Sequence, residues 1–147
     1  VVLEGLLNKS IQNNAILNHP IKSAIIFYPS GSICFPEFFQ FKPVTKPLMI
    51  LFGNKDLFLP MCWKNLVPKL RSPEHPQVIK IYEGANHAFD VYSTGIKCKY
   101  FSAQASIINS YSELKIGQTY KTCNQYNERA HKRSIHDVKE FLNSNTK

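Results

Sequence analysis

The stretch GANHAFD at residues 84–90 follows the apolar run VIKIY at residues 78–82 and places His87 in a loop of small residues. The run is rich in β-branched residues and predicts a short strand. A second unit has the same arrangement, because PLMILF at residues 47–52 predicts a buried strand and Asp56 follows it. The chain therefore places an acid after one predicted strand and a histidine after the next.

Outward from these units, the chain alternates between predicted strands and helices. The run IKSAIIFY at residues 21–28 is nearly continuous in apolar residues and predicts a central parallel strand. MCWKNLVPKL at residues 61–70 has helical spacing and lies between two predicted strands, which gives a βαβ unit with parallel pairing and a right-handed crossover. We therefore predict an α/β fold, a parallel sheet with flanking helices.

The last predicted element is a helix over residues 126–142, which packs on the sheet. Charged residues occupy one side of it, and the apolar residues share the other face. The predicted apolar face consists of Tyr126, Ala130, Ile135, Val138, Phe141 and Leu142.

Residues 91–125 are rich in Ser and Thr and show no clear pattern. A weak helical period at Phe101, Ala105 and Ile108 predicts one short helix there. A segment of this length inside a compact domain is expected to be functional or flexible.

At the other end, residues 1–9 already follow a helical period at Val1, so we expect the chain to continue a helix that begins upstream.

The length of 147 residues, with 44% hydrophobic and 12% aromatic residues, indicates one globular domain. The formal net charge of +8 comes from lysines spread along the chain, and the basic cluster at residues 129–133 has acids around it. This pattern is typical of a solvated helix face, so we predict no nucleic-acid partner. No run of about 18 apolar residues occurs, so no membrane span is predicted.

His87 is the best candidate for a catalytic side chain. Imidazole can act as a base near neutral pH, and a carboxylate partner fixes its tautomer and stabilises the imidazolium. Asp56 follows the neighbouring strand at the end where open α/β sheets carry their sites. From spacing alone, a histidine in a Gly-containing loop can equally be part of a simple turn. Asp90 is expected to be a turn or cap residue, and the other four histidines are expected to face solvent.

The four cysteines do not indicate a metal site, because their spacing with one another and with histidine fits no zinc motif. No Gly-rich phosphate loop occurs either. Cys34 and Cys62 lack the Gly-x-Ser/Cys-x-Gly turn that a nucleophile of this fold needs. Both follow predicted strands that would be neighbours, so a Cys34–Cys62 disulfide is one hypothesis and a reduced buried pair is the alternative.

Several segments resemble the dienelactone hydrolase family. Residues 46–56 with Pro60 resemble its acid-bearing segment, and residues 83–90 resemble its GA-x-HAF histidine loop. Further similarity lies in residues 24–29 (the strand before the acid), residues 1–7 (the helix after the nucleophile), and Tyr126, Asn127, Ala130, Phe141 and Leu142 (the last helix).

The resemblance implies an α/β-hydrolase that cleaves small esters, lactones or related carbonyl compounds without a metal or organic cofactor. Asp56 would be the acid and His87 the base of a Cys/Ser-Asp-His triad. The nucleophile turn Gly-x-Cys/Ser-x-Gly is absent from the chain. We therefore expect residues 1–147 to be the C-terminal portion of one such domain, with a variable insertion at about 91–125, and to be inactive alone.

The resemblance also bears on compartment, because some exported-looking members of the family carry cysteines similar to Cys34 and Cys62. Such a pair would favour a periplasmic or secreted location over a cytoplasmic one.

Two alternative functions stay open. The chain could be a non-catalytic interaction domain that binds through its basic surface or residues 91–125, or part of another α/β-hydrolase such as a thioesterase or peptidase.

Overall fold

The computed structural model describes residues 22–29, 46–57, 72–92, 95–102 and 117–145. Within these ranges the chain forms five strands and one helix. They are β1 (Ala24–Phe27), β2 (Leu48–Gly53), β3 (Gln77–Tyr82), β4 (Lys97–Ser102), β5 (Thr119–Asn124) and α1 (Glu128–Asn145).

The first three strands form a parallel sheet in the order β1-β2-β3 within the described part of the chain. Leu48 of β2 pairs with Ala24 on one side and with Gln77 on the other, so the three strands start level with one another. The three strands predicted from apolar runs are therefore present and parallel. The helices predicted at residues 61–70 and at the start of the chain lie outside the described residues.

The middle strand, β2, is buried along its whole length. Leu48, Met49, Leu51 and Phe52 are each no more than 1% exposed. A strand that is covered on both faces reads as a continuous apolar run, and this is why LMILF shows no alternation. The side chains of Met49 and Leu51 join the main core cluster, which also holds Tyr82, Phe89 and Phe141.

The terminal helix α1 packs on this sheet through a face that partly matches the predicted one. Ala130 and Phe141 are buried and Val138 packs against the core, as predicted. Its buried residues are Ala130, Ser134, Asp137 and Phe141, at successive positions along one helical stripe. The prediction was wrong for Ile135 and Leu142, which are 43% and 36% exposed.

Two polar residues take part in this packing because each has a partner. The Ser134 hydroxyl donates to the His131 carbonyl over 2.8 Å. Asp137 accepts hydrogen bonds from the Tyr82 hydroxyl at 3.0 Å and from the Lys80 ammonium at 3.2 Å. Burial, together with the bond to Asp137, raises the pKa of Tyr82 far above its usual range. The cluster ties α1 to β3.

Strands β4 and β5 form an antiparallel pair within residues 97–124, with Lys97 opposite Asn124. Cys98 and Cys123 face each other in this pair and form a disulfide. The prediction of a short helix around Phe101 was wrong at that residue, which lies in β4. Ala105 and Ile108, the other residues of that prediction, lie outside the described residues. No described helix has the length and apolar composition to cross a membrane.

Candidate functional site

The acid and the histidine singled out in the sequence lie side by side at one edge of the parallel sheet. Asp56 ends a tight turn after β2, in which its amide donates to the Gly53 carbonyl over 3.1 Å. His87 lies in the histidine loop, residues 84–90, which follows β3. Because β2 and β3 are parallel neighbours, their carboxyl ends meet at the same edge, which is where open α/β sheets carry their sites.

The two side chains form a short hydrogen bond, with 2.7 Å between His87 Nδ1 and Asp56 Oδ2. The Asp56 side chain is fully buried, whereas the imidazole is 21% exposed. A carboxylate at this position accepts the Nδ1 proton and so favours the neutral tautomer that carries its lone pair on Nε2. The arrangement holds a base at the surface and a buried acceptor behind it.

The turn after β2 and the histidine loop are joined by backbone contacts. The Lys55 amide donates to the Ala85 carbonyl over 2.9 Å. In return, the Gly84 amide donates to the Asn54 side chain over 2.7 Å. This close approach requires a glycine at position 53, since a Cβ built there would lie 2.5 Å from the carbonyl carbon of Ala85.

The loop is also anchored by the residue two positions after the histidine. Phe89 is completely buried, and its ring centroid lies 5.1 Å from that of Tyr82. Between His87 and Phe89, Ala88 adopts a left-handed backbone with φ 54°. That conformation costs about 1–2 kcal/mol for a residue with a Cβ. It turns the chain so that His87 faces Asp56 while Phe89 enters the core.

Tyr28, a residue given no role in the sequence analysis, contributes to the site. It follows β1 with a left-handed φ of 31°, and its ring meets the His87 imidazole edge-on at 4.7 Å between centroids. Burial, and then a hydrogen bond to Asp90, raises the pKa of Tyr28 to about 12. Its position directly after a parallel strand, at the same edge of the sheet as Asp56 and His87, is the signal that could have identified it.

The two acids near the histidine loop therefore have different partners. Asp90 contacts Tyr28, whereas Asp56 forms the hydrogen bond with Nδ1 of His87. Asp90 lies in a turn, as expected. Its Oδ1 is buried and has no hydrogen-bond partner among the described residues.

Several other candidate residues lie elsewhere. Cys34, Cys62 and His19 fall outside the described residues, so the Cys34–Cys62 disulfide stays a prediction. The Cys98–Cys123 disulfide was not anticipated. On α1, His136 is exposed and pairs with Glu140 at 3.3 Å. In the described ranges, no three His, Cys, Asp or Glu side chains converge on a point that could hold a metal ion.

Comparison with known proteins gives one finding. The model of the family described as "Dienelactone hydrolase family" matches residues 11–146. No curated protein and no solved structure matches the chain at a significant level.

Proposed function

The chain belongs to the dienelactone hydrolase family, a family of hydrolases with the α/β-hydrolase fold, and from this premise we propose that Asp56 and His87 are the acid and the base of its catalytic triad. The proposed reaction is hydrolysis of small-molecule esters or lactones. The observation that carries the proposal is the 2.7 Å hydrogen bond between a fully buried carboxylate and a partly exposed imidazole.

In the proposed mechanism, His87 Nε2 takes the proton from a Cys or Ser nucleophile as that group attacks the substrate carbonyl carbon. Asp56 holds the imidazole in the required tautomer and stabilises the imidazolium. The tetrahedral intermediate then collapses to the acyl-enzyme, because the bond between its carbon and the alkoxide oxygen breaks as His87 donates the proton to that oxygen. In the second half of the reaction, His87 takes a proton from water as the water oxygen attacks the acyl carbon. The bond between that carbon and the nucleophile then breaks, His87 returns the proton to the nucleophile, and the carboxylic acid product leaves.

The nucleophile is proposed to lie upstream of Val1, with residues 1–147 forming the C-terminal portion of one α/β-hydrolase domain. The 147-residue chain alone is then expected to show no ester hydrolysis, because an acid and a base without a nucleophile cannot form an acyl–enzyme. The sequence encoded upstream of Val1 tests this directly, and a Gly-x-Cys/Ser-x-Gly turn is expected there.

The decisive experiment uses the longer chain that carries this turn and measures hydrolysis of a p-nitrophenyl ester and a simple lactone. His87→Ala is expected to lower kcat/KM by about 10⁴-fold or more, and Asp56→Asn by about 10²–10⁴-fold. His136→Ala is the matched control, since His136 is exposed on α1, and it is expected to retain activity. Activity that survives His87→Ala would reject the triad and favour a non-catalytic role for these residues.

We also propose that the protein functions in an oxidising compartment, because it forms a disulfide between Cys98 and Cys123. Disulfides persist in secreted and periplasmic proteins and are rare in the cytosol. Thiol titration of the protein isolated from its native source, unfolded without reductant, is expected to find Cys98 and Cys123 unreactive. Reaction of both would reject this location.

A further inference from the structure

The backbone of the histidine loop is held by the residue that precedes α1. The backbone amide of Asn127 donates to the Phe89 carbonyl over 2.9 Å. Its side-chain Nδ2 donates to the Gly84 carbonyl over 3.3 Å. Gly84 and Phe89 lie on opposite sides of His87 in the loop, so a single residue spans the turn that carries the imidazole.

The same side chain starts the helix. Asn127 Oδ1 accepts the Ala130 amide over 3.0 Å, which is the hydrogen bond of an N-cap. The Asn127 carbonyl accepts the His131 amide over 2.9 Å, the first bond along the helix. Both halves of the amide are therefore used, the oxygen on α1 and the nitrogen on the histidine loop.

The neighbouring Gln125 completes this attachment. Its backbone amide donates to the His87 carbonyl over 3.3 Å. Its side-chain Oε1 accepts a hydrogen bond from Asn86 Nδ2 over 2.9 Å. Asp56 contacts the imidazole of His87, whereas residues 125–127 contact the backbone on which the imidazole is mounted. The direction of the side chain depends on both.

We propose that Asn127 is a positioning residue for His87, which fixes the histidine loop to α1 and so keeps Nδ1 on Asp56. The catalytic meaning of this role rests on the function proposed above, but the effect on the His87–Asp56 bond does not. α1 provides a firm attachment, because Ala130 and Phe141 are buried in the core that also holds Phe89.

The side-chain chemistry separates the two tasks of Asn127. Aspartate and serine cap helices about as well as asparagine does. Neither can donate to the Gly84 carbonyl as the amide does, because a carboxylate carries no proton and a serine hydroxyl is too short to serve both partners. Asn127→Asp and Asn127→Ser thus remove the side-chain contact to Gly84, preserve the cap, and keep the backbone hydrogen bond to Phe89.

The test uses NMR on the 147-residue chain and follows the Nδ1 proton of His87, which resonates at low field when donated to a carboxylate. Both variants are expected to raise the solvent-exchange rate of this proton by about 10-fold or more, or to broaden it beyond detection. The exchange of the Ala130 amide is expected to change less than about 3-fold, because the cap is preserved. Asn143→Ser, an exposed change on the same helix, is expected to alter neither.

Two outcomes would overturn the proposal. One is an unchanged His87 proton in both variants, which would show that the loop keeps its position without the side-chain bond from Asn127 to Gly84. The other is an equal rise in exchange at Ala130 and His87, which would make Asn127 a helix cap only.

A second measurement uses the longer chain that carries the nucleophile. Asn127→Ser is expected to lower kcat by about 10- to 100-fold with KM within about 2-fold. If His87→Ala leaves that chain fully active, the proposed function fails while the NMR result on Asn127 still stands.

Discussion

The contact between Gly53 and the histidine loop gives the sharpest prediction of the structure, which is the effect of Gly53→Ala. A methyl group at this position would lie 2.5 Å from the carbonyl carbon of Ala85 and 2.9 Å from its Cβ. Ordinary contact begins at 3.4 Å and the carbonyl oxygen of Ala85 lies closer still than its carbon, so the loop must retreat by at least about 0.9 Å. The nearest obstacle is backbone, which cannot rotate away as a flexible side chain can.

This displacement is enough to break specific bonds. The Lys55–Ala85 hydrogen bond is 2.9 Å long and the His87–Asp56 bond is 2.7 Å long, so a retreat of that size takes both beyond good geometry. Overpacking and one lost backbone hydrogen bond together are expected to lower the free energy of unfolding by about 2–4 kcal/mol. In the longer chain with the nucleophile, a shift of this size is expected to lower kcat/KM by about 10²-fold.

Urea unfolding measures the loss in free energy of unfolding. The low-field Nδ1 proton of His87 reports whether the His87–Asp56 hydrogen bond is kept. Gly117→Ala is the matched control, because no atom of the described residues other than its chain neighbours lies within 4 Å of a Cβ built there, although its φ of +76° disfavours alanine. It is expected to cost about 1 kcal/mol and to leave the His87 proton unchanged. A cost below about 1 kcal/mol together with an unchanged His87 proton would show that the loop accommodates the methyl group without moving, contrary to this prediction.

Two further predictions concern the β4–β5 pair and the site. Replacing both Cys98 and Cys123 by serine is expected to lower the free energy of unfolding by about 3.5 kcal/mol in urea, because the disulfide closes a loop with a sequence separation of 25; a loss below about 1 kcal/mol would contradict this. The raised pKa of Tyr28 favours its protonated form in the folded state. Its contribution to stability is therefore complete below pH 10 and lost as the pH rises to about 12. Unfolding midpoints measured over this range are expected to fall more steeply for the wild type than for Tyr28→Phe, and equal slopes would count against the assignment.

Local sequence patterns were enough to predict the parallel sheet and the order of acid and histidine. Residues 47–52 and 78–82 are apolar runs of strand length, and each is followed by turn residues. These are local signals, because burial on both faces demands apolar residues at every position. Once both strands are parallel neighbours, Asp56 and His87 must leave the sheet at the same edge, so their proximity could be predicted too.

The face of α1 could be predicted only at its apolar positions Ala130, Val138 and Phe141. The buried Ser134 and Asp137 were missed, and Ile135 and Leu142 are exposed. Apolar periodicity assigns polar residues to the solvent side. Asp137 is buried because Tyr82 and Lys80, on a strand more than fifty positions earlier, supply its hydrogen bonds. No local pattern contains that information.

The same reason explains the remaining features that only the tertiary structure decided. Which cysteines pair depends on the register of β4 with β5, which places Cys98 opposite Cys123. Tyr28 reaches His87 because β1 ends beside β2, and Asn127 reaches Gly84 and Phe89 because α1 starts where the histidine loop turns back. Short-range patterns specified the elements and the two ionisable residues, whereas the contacts that hold those residues in place depend on where distant elements meet.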